Sequence, residues 1–349
     1  MNLDLYDTLK MVAPGTKLRA GLDNIINAKT GALIVIGNTK EVLEITYEGF
    51  YINCEYSPAN IYELAKMDGA IIVSKDCKRI LYANAQLFPC QHILSNETGT
   101  RHKTAERVAK QTGVLVIAIS KRREVITIYK SDYKYILKDI NEILSRANQA
   151  VQTLEKYKET LNIALSNLTT LEFENRVTLY EVTNAIQNME MVWRIGNEIN
   201  LYISELGVEG RLLNMQVMEL MNGVRGDRVN LVKDYIKDEY KDYATVINEI
   251  SSFDSKQLLN LNLIANKLGY NKGLDTLDIK IEPKGYRVLN KIPRVHPNVL
   301  EKIVLNFGSL QNIIKASPYK LNLVEGIGEV RTANIIEGLK KYKNQYFES

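Results

Sequence analysis

Apolar residues are distributed in three regimes along the chain, and each regime predicts a different kind of element. The first regime consists of short unbroken apolar runs bounded by glycine, proline and polar pairs. Gly31-Ala-Leu-Ile-Val-Ile-Gly37 and Val114-Leu-Val-Ile-Ala-Ile119 are the clearest, and each reads as a buried strand. Val42–Ile45 and Phe50–Cys54 predict two more. Asp68-Gly-Ala-Ile-Ile-Val-Ser-Lys-Asp76 reads as a strand and a turn, with Arg79–Tyr82 as its hairpin partner, and Val114–Ser120 and Val125–Tyr129 as the last strands. Residues 2–28 predict one or two amphipathic helices interrupted at Pro14-Gly15, and Ser57-Pro58 opens a helix running through Ile61, Leu64 and Ala65. Strands alternate with helices but also form hairpins, so the expected sheet is mixed and the fold class is mixed α/β, or α+β.

The second regime begins near Tyr135. Ile136, Ile140, Ile143, Leu144, Ala147, Val151 and Leu154 recur at helical spacing, and neither Pro nor Gly intervenes to about Glu174. Helical signals continue over Val177–Leu206, Arg211–Met221 and Val229–Ile250, with breaks expected at Gly207, Gly210, Gly223 and Gly226. Nothing polar recurs on these apolar faces, so this part reads as a helical spine. The third regime follows Pro283-Lys-Gly-Tyr286. Leu323–Ile336 has the form of two helices joined by Gly326-Ile-Gly328, with Ala333 and Ile336 expected to pack the second helix on the first. Two glycines let the backbone turn tightly and expose N–H groups to which a phosphate can bind. This spacing resembles the helix-hairpin-helix DNA-binding motif, which grips the nucleic-acid backbone rather than base edges. Ile292–Ala316 resembles the degenerate partner hairpin that often accompanies it.

Composition sharpens this picture. The 349 residues are too many for one ordinary domain, and 45% hydrophobic with 25% charged residues describes a globular protein with sizeable cores. The net charge of +4 is unevenly placed: residues 291–349 hold nine basic side chains against five acidic, and the preceding 290 hold 36 of each. The whole excess lies in the last segment, with Arg331 beside the glycine turn, which points to a polyanion such as DNA there. The apolar runs are too short to span a bilayer, and the N-terminus lacks the basic-then-apolar order of a signal peptide. Cys54, Cys77 and Cys90 show neither CxxC pairing nor zinc-ligand spacing. They read as free thiols in a reducing compartment, which places the protein in the cytoplasm with no membrane partner.

Chemistry concentrates in Glu97-Thr-Gly-Thr-Arg-His-Lys-Thr-Ala-Glu-Arg107. Thr98, Gly99 and Thr100 read as a loop and cap, Ala105, Val108 and Ala109 as one apolar helix stripe, and Gly113 as the helix stop. Arg101, His102 and Lys103 then surround a helix N-terminus that already favours anions. A polyphosphate cradle and a solvated basic turn both fit these residues. Asp68, at the start of a strand and followed by the small Gly69-Ala70, adds a carboxylate able to hold a divalent metal, although Asp-Gly is first of all a turn signal.

Taken together, Asp68-Gly-Ala70, Arg101-His-Lys-Thr-Ala-Glu-Arg107 and Ile119-Ser-Lys-Arg-Arg-Glu124 resemble the diadenylate cyclase domain. With the helical middle and the Gly-x-Gly hairpin, essentially the whole chain resembles the DNA-integrity scanning diadenylate cyclases, the DisA family. The resemblance implies a cyclase domain over residues 1–137, a helical linker or spine over 138–285 and a helix-hairpin-helix domain over 286–349. It implies a nucleotidyltransferase that condenses two ATP into cyclic di-AMP and two pyrophosphates, with Mg²⁺ or Mn²⁺. Asp68 would bind the metal and help activate the attacking ribose 3′-hydroxyl. Gly69 and Ala70 would lie near the nucleotide, and Leu87, in a loop after the hairpin, near the adenine. Thr100, Arg101, His102, Lys103 and Thr104 would hold the phosphates, with Ser120 close by. Two cyclase domains must face each other, and the family assembles as a homo-octamer through them. In the family, branched DNA bound by the hairpins lowers activity in a DNA-damage and repair setting, and the resemblance implies that Gly326, Gly328 and Arg331 would make that contact here.

Two departures stand out. Lys103 replaces an arginine of the family motif, giving a point charge for a bidentate fork. The loop Pro89-Cys-Gln-His92 lacks an acid after the proline, and His92 reads as a solvent-facing loop residue. Two other functions compete: a DNA-binding scaffold that keeps ATP as a structural or sensing ligand, and a nucleotidyltransferase acting directly on nucleic acid. The first needs neither Asp68 nor the basic cap. The second needs a carboxylate cluster for a two-metal site, and Asp76 reads only as a turn residue.

Overall fold

A computed structural model describes residues 3–237, 242–270 and 273–347. The chain forms two compact units, one of residues 1–148 with 200–214, the other of 149–199 with 215–349.

The first unit is built on strands β1 (Ala32–Ile36), β2 (Thr46–Tyr47), β3 (Phe50–Glu55), β4 (Ala70–Val73), β5 (Arg79–Leu87), β6 (Leu115–Ser120), β7 (Val125–Lys130) and β8 (Tyr133–Ile136). They lie in the order β2-β5-β4-β1-β6-β7-β8, with β3 also on β5. β1 and β4 are parallel while the other pairs run antiparallel, so the sheet is mixed, as the pattern predicts. The unbroken apolar runs follow from burial on both faces. Ile34 and Ile36 pack with Leu22 and Ile25 of α2 (Lys17–Asn27), which follows α1 (Leu3–Met11). Leu33 and Val35 face the other way, onto Val42 and onto Ala105, Val108 and Ala109.

Two local readings need correction. Val42–Ile45 is not a strand: α3 spans Lys40–Glu44, and the Thr46 hydroxyl donates to the Val42 carbonyl at 2.6 Å. A four-residue apolar run cannot separate strand from helix turn, and Val42 and Ile45, three apart, both join the same core. Val125–Tyr129 is not the last strand either. The chain turns at Ser131, in the left-handed region at φ 50°, and returns as β8 with Thr127 opposite Ile136. The long helix therefore starts at Ile140, where the Asp139 carboxylate accepts from Asn141 N at 2.8 Å. Ile136 falls in phase with that helix without belonging to it. The remaining helices of this unit are α4 (Pro58–Leu64), capped by Ser57, and α5 (Thr100–Thr112), closed by left-handed Gly113.

α6 (Ile140–Glu174) and α7 (Leu179–Leu206) carry the spine, followed by α8 (Arg211–Leu220), α9 (Val224–Tyr235), α10 (Tyr243–Ser251), α11 (Ser255–Leu258) and α12 (Leu261–Lys267). Gly226 lies inside α9 and does not break it; its position is exposed, and a side chain there would meet nothing. The run expected over Val229–Ile250 is two helices, α9 and α10. No helix among the described residues is long and apolar enough to cross a membrane.

Helices α13 (Tyr286–Leu289), α14 (Pro297–Phe307), α15 (Leu310–Lys315), α16 (Pro318–Asn322) and α17 (Glu329–Phe347) end the chain around their own core. Ala333 is exposed and Ile336 half-buried; the α17 face that packs carries Thr332, Ile335 and Leu339. The expected apolar face was rotated by about one residue. Buried polar bonds tie α13 to the spine. The Asp234 carboxylate accepts from the N–H groups of Gly285, Tyr286 and Arg287 at 2.7, 2.6 and 2.9 Å. Arg287 pairs with Glu172 of α6.

Candidate active site

The register of the sheet gathers the separated motifs at one end of four adjacent strands. Ala70 lies opposite Leu33 on one side and Ala85 on the other, and Ala32 lies opposite Ile119. Two residues outward from Ala70 and Ala85 come Asp68 and Leu87. One residue outward from Ala32 and Ile119 come Gly31 and Ser120. Leu87, Asp68, Gly31 and Ser120 therefore form a row across β5, β4, β1 and β6. Leu87 is the last residue of β5, pairing with Thr46, and not part of a following loop.

Gly69 shapes the Asp68 end. It sits at φ +88°, and a Cβ there would lie 2.8 Å from the Asn84 carbonyl carbon. Only glycine tolerates that conformation and that approach together. Asp68 is exposed, while Ala70 is buried in the core.

α5 brings the basic cap to the same sheet end. Arg101 Nη1 reaches the Ile119 carbonyl at 3.5 Å, and the guanidinium lies over Gly31, where a Cβ would come within 2.2 Å of Nη1. Gly31 thus clears the path of Arg101, a role its position before an apolar run gave no means of reading. Gly99 offers no side-chain cap, so no capping side chain takes the N–H groups of the first helical turn. Thr100, Arg101 and Lys103 are exposed, Thr104 and Ser120 half-buried, and the turn Lys121-Arg-Arg123 after Ser120 is exposed and basic.

His102 points the other way. It is 6% exposed, and its Nδ1 lies 2.9 Å from the Tyr129 hydroxyl, which donates to Glu97 Oε1 at 2.9 Å. With that hydroxyl proton on Glu97, the His102 Nδ1–H donates to Tyr129 and Nε2 is left as a buried acceptor with no partner among the described residues. Burial lowers the imidazole pKa, the Glu97 charge opposing it. Burial pushes the Glu97 carboxyl up, but the Lys134 ammonium and the Tyr129 hydroxyl outweigh it and hold it low. Glu97 and Tyr129 escape sequence reasoning as partners of His102, because the link to Tyr129 spans 27 positions.

The rest of the motif braces a loop. Glu106 accepts from the Ser95 hydroxyl at 2.5 Å and from Lys110 at 2.8 Å. Arg107 donates to the Ile93 and Gln91 carbonyls at 2.9 and 3.0 Å, and Cys90 N donates to Gln111 Oε1 at 2.8 Å. Position 90 is therefore used here through its backbone, and His92 is exposed, as expected of a loop residue. Asp76 accepts from Ser74 and Lys78 N within its turn. No group of three or more potential metal ligands occurs among the described residues. The three cysteines are free thiols.

A carboxylate at a glycine turn and a basic helix N-terminus without a side-chain cap thus share one end of a mixed sheet. Residues 19–133 match the family described as "DisA bacterial checkpoint controller nucleotide-binding", and residues 137–277 match its "linker region". A DNA integrity scanning protein DisA from Clostridium perfringens (strain 13) is 53% identical over 342 residues, covering 98% of this chain and 96% of its own. The Clostridium tetani protein of that name is also 53% identical, covering 98% of this chain and 94% of its own. The chain belongs to the DisA family of diadenylate cyclases.

Proposed function

We propose that two copies of the sheet-end site, facing each other, condense two ATP into cyclic di-AMP and release two pyrophosphates. The observation that supports this most is the row Leu87–Asp68–Gly31–Ser120 with Arg101 over Gly31. It brings one carboxylate and one basic helix N-terminus to a single sheet end, which suits one ATP per domain. Each site binds one ATP, so a lone subunit lacks a reaction partner, and assembly into a homo-octamer through the cyclase domains meets this need.

A single exposed carboxylate fits Mg²⁺ or Mn²⁺, which take one or two protein carboxylates and complete their shell with substrate phosphates and water. Such an ion would supply charge neutralisation at the phosphates and lower the pKa of a bound hydroxyl. Asp68 would hold it beside the ribose 3′-hydroxyl that attacks the facing α-phosphate, with pyrophosphate leaving in line. Gly69 leaves room for the nucleotide beside that carboxylate, with Ala70 packed in the core next to it, and Leu87 offers an apolar surface to the adenine. Thr100, Arg101, Lys103 and Thr104 hold the phosphates through side chains and helix N–H groups, and Ser120 lies next to them. His102, with its ring turned inward, serves the cradle through its backbone and by anchoring the first turn. Lys103 supplies charge without a fork, so most of the geometric selection falls to Arg101.

The C-terminal helices bind DNA by its phosphates. α16 and α17 flank the Gly326-Ile-Gly328 turn, with both glycines and Arg331 exposed and Gly326 at φ +87°. α14 and α15 form the partner pair. Branched junctions suit two hairpins that grip backbone, and their binding lowers cyclase activity. The setting is the bacterial cytoplasm.

The test is incubation of the full-length protein with ATP and Mn²⁺, products being resolved by mass and chromatography. Cyclic di-AMP that vanishes in Asp68→Asn supports the cyclase and its metal ligand. ATP bound but unchanged, with DNA binding intact, would move the protein to the scaffold reading. For the DNA arm, Arg331→Ala should reduce the slope of log K against log salt by about 0.9, one phosphate contact. An unchanged slope removes Arg331 from the interface.

A further inference from the structure

The cyclase chemistry leaves one buried ionic cluster without a role. Within the second unit Arg287 is 2% exposed and pairs with Glu172, whose other oxygen accepts from the Tyr235 hydroxyl at 2.6 Å. Yet Arg287 Nε finds no acceptor among the described residues.

Arg287 also lines a cavity of about 220 Å³, with Asn162, Ser166, Asp227, Lys291 and Tyr342. Lys291 and Tyr342 also line a second cavity of about 580 Å³, with Arg294, Asn334 and Lys341. Asp227 pairs with Lys291 at 2.7 Å. It also faces the half-buried Lys158 of α6, whose ammonium pKa burial lowers, with Asp227 opposing and Lys291 adding to the fall. Lys341 pairs with Glu337 at 2.6 Å. Five cations therefore meet three carboxylates around a recess walled by tyrosine, and the charge excess is positive. The volumes suit a small organic ligand, for which sites of roughly 300–1,000 Å³ are usual.

We propose that this recess is a second ligand site, separate from the ATP cradle, for a phosphorylated small molecule of mononucleotide size. Its phosphate lies between the ammonium groups of Lys158 and Lys291, and its organic part lies in the larger cavity against Tyr342. Duplex DNA is the poorer occupant, because recesses of about 220 and 580 Å³ have the dimensions of a small ligand and not of a helix. Asn162 and Ser166 belong to α6, whereas Lys291 and Tyr342 follow α13 and lie on α17. An occupant therefore clamps the spine to the C-terminal helices.

The test is hydrogen–deuterium exchange of the full-length protein titrated with AMP, with inorganic phosphate in a parallel series. AMP should slow exchange in residues 286–294 and 338–346. Lys158→Gln with Lys291→Gln should weaken that protection on the order of tenfold or more, since charge-assisted contacts are lost, and leave cyclic di-AMP formation unchanged. Ser166→Met, which narrows the smaller cavity without touching the ion pairs, should weaken it as well. Phosphate protecting the same segments more weakly than AMP would mean that the organic part contributes; equal protection would mean that the site takes free phosphate and would overturn the nucleotide-sized ligand. Protection confined to residues 68–70 and 100–104, protection here by duplex DNA alone, or undiminished affinity in both variants would overturn the site.

Discussion

The sheet-end site and the junction between spine and C-terminal helices handle charge in opposite ways. Asp68, Arg101 and Lys103 are exposed and make no ion pair among the described residues, so water solvates them. At the junction Glu172, Asp234 and Arg287 are 0%, 1% and 2% exposed, and Arg287 is bonded to both carboxylates, to Asp234 through its N–H and to Glu172 through its guanidinium. Burial, and then the Glu172 charge, push the Asp234 carboxyl up to about 7 against the pull of the Arg287 N–H and guanidinium. Exposed charges cost little stability to keep and are free to bind; buried ones fix geometry and are costly only when separated. The Glu97–Tyr129–His102 chain stands between these extremes, with a buried neutral imidazole at one end and the partly exposed Lys134 at the other.

The contrast can be broken at either place. The largest effect is expected in activity: Asp68→Asn should lower cyclic di-AMP formation on the order of a thousandfold or more, with the denaturant midpoint unmoved because the side chain is exposed. An equal fall in both would mean that Asp68 is structural. Next comes Glu172→Ala, which strands Arg287 and should cost about 3–5 kcal/mol in denaturant unfolding. Replacing both partners by leucine should cost far less; if the two variants unfold alike, the pair is not the source of the loss. Gly69→Ala should cost roughly 1–3 kcal/mol for its left-handed backbone and close approach to β5, and should lower activity beyond that by displacing Asp68. Normal turnover in a folded Gly69→Ala protein would show that the turn is not needed.

The smallest effect is in pH. The folded pKa of His102 is depressed, so the unfolded chain binds its proton first, and stability is lost as pH falls through the unfolded value of about 6.5. Unfolding followed from pH 7.5 to 5.5 should show this decline, and His102→Gln should flatten it. A decline of the same steepness in the variant would assign the effect to other groups.

Local grammar made much of the fold legible. Gly113, Ser57-Pro58 and the apolar runs placed helix ends and strands, because caps and burial on both faces act within a few residues. The misreadings at Val42–Ile45, at Tyr133–Ile136 and on the packing face of α17 share a cause. Short apolar spacings fit two periodicities, and only the neighbouring strand or helix decides between them.

By itself the sequence determined most of the long elements, the two motifs at Asp68-Gly-Ala70 and Arg101–Arg107, and the basic excess of the last segment. Only the tertiary structure decided that Leu87, Asp68, Gly31 and Ser120 share one row, since strand order and register are long-range choices. It also turned His102 inward onto Tyr129, and joined Glu172 to Arg287 across 115 positions. The physical reason is range: backbone preference and capping are decided by near neighbours, whereas a buried polar group is placed by whichever distant partner can satisfy it.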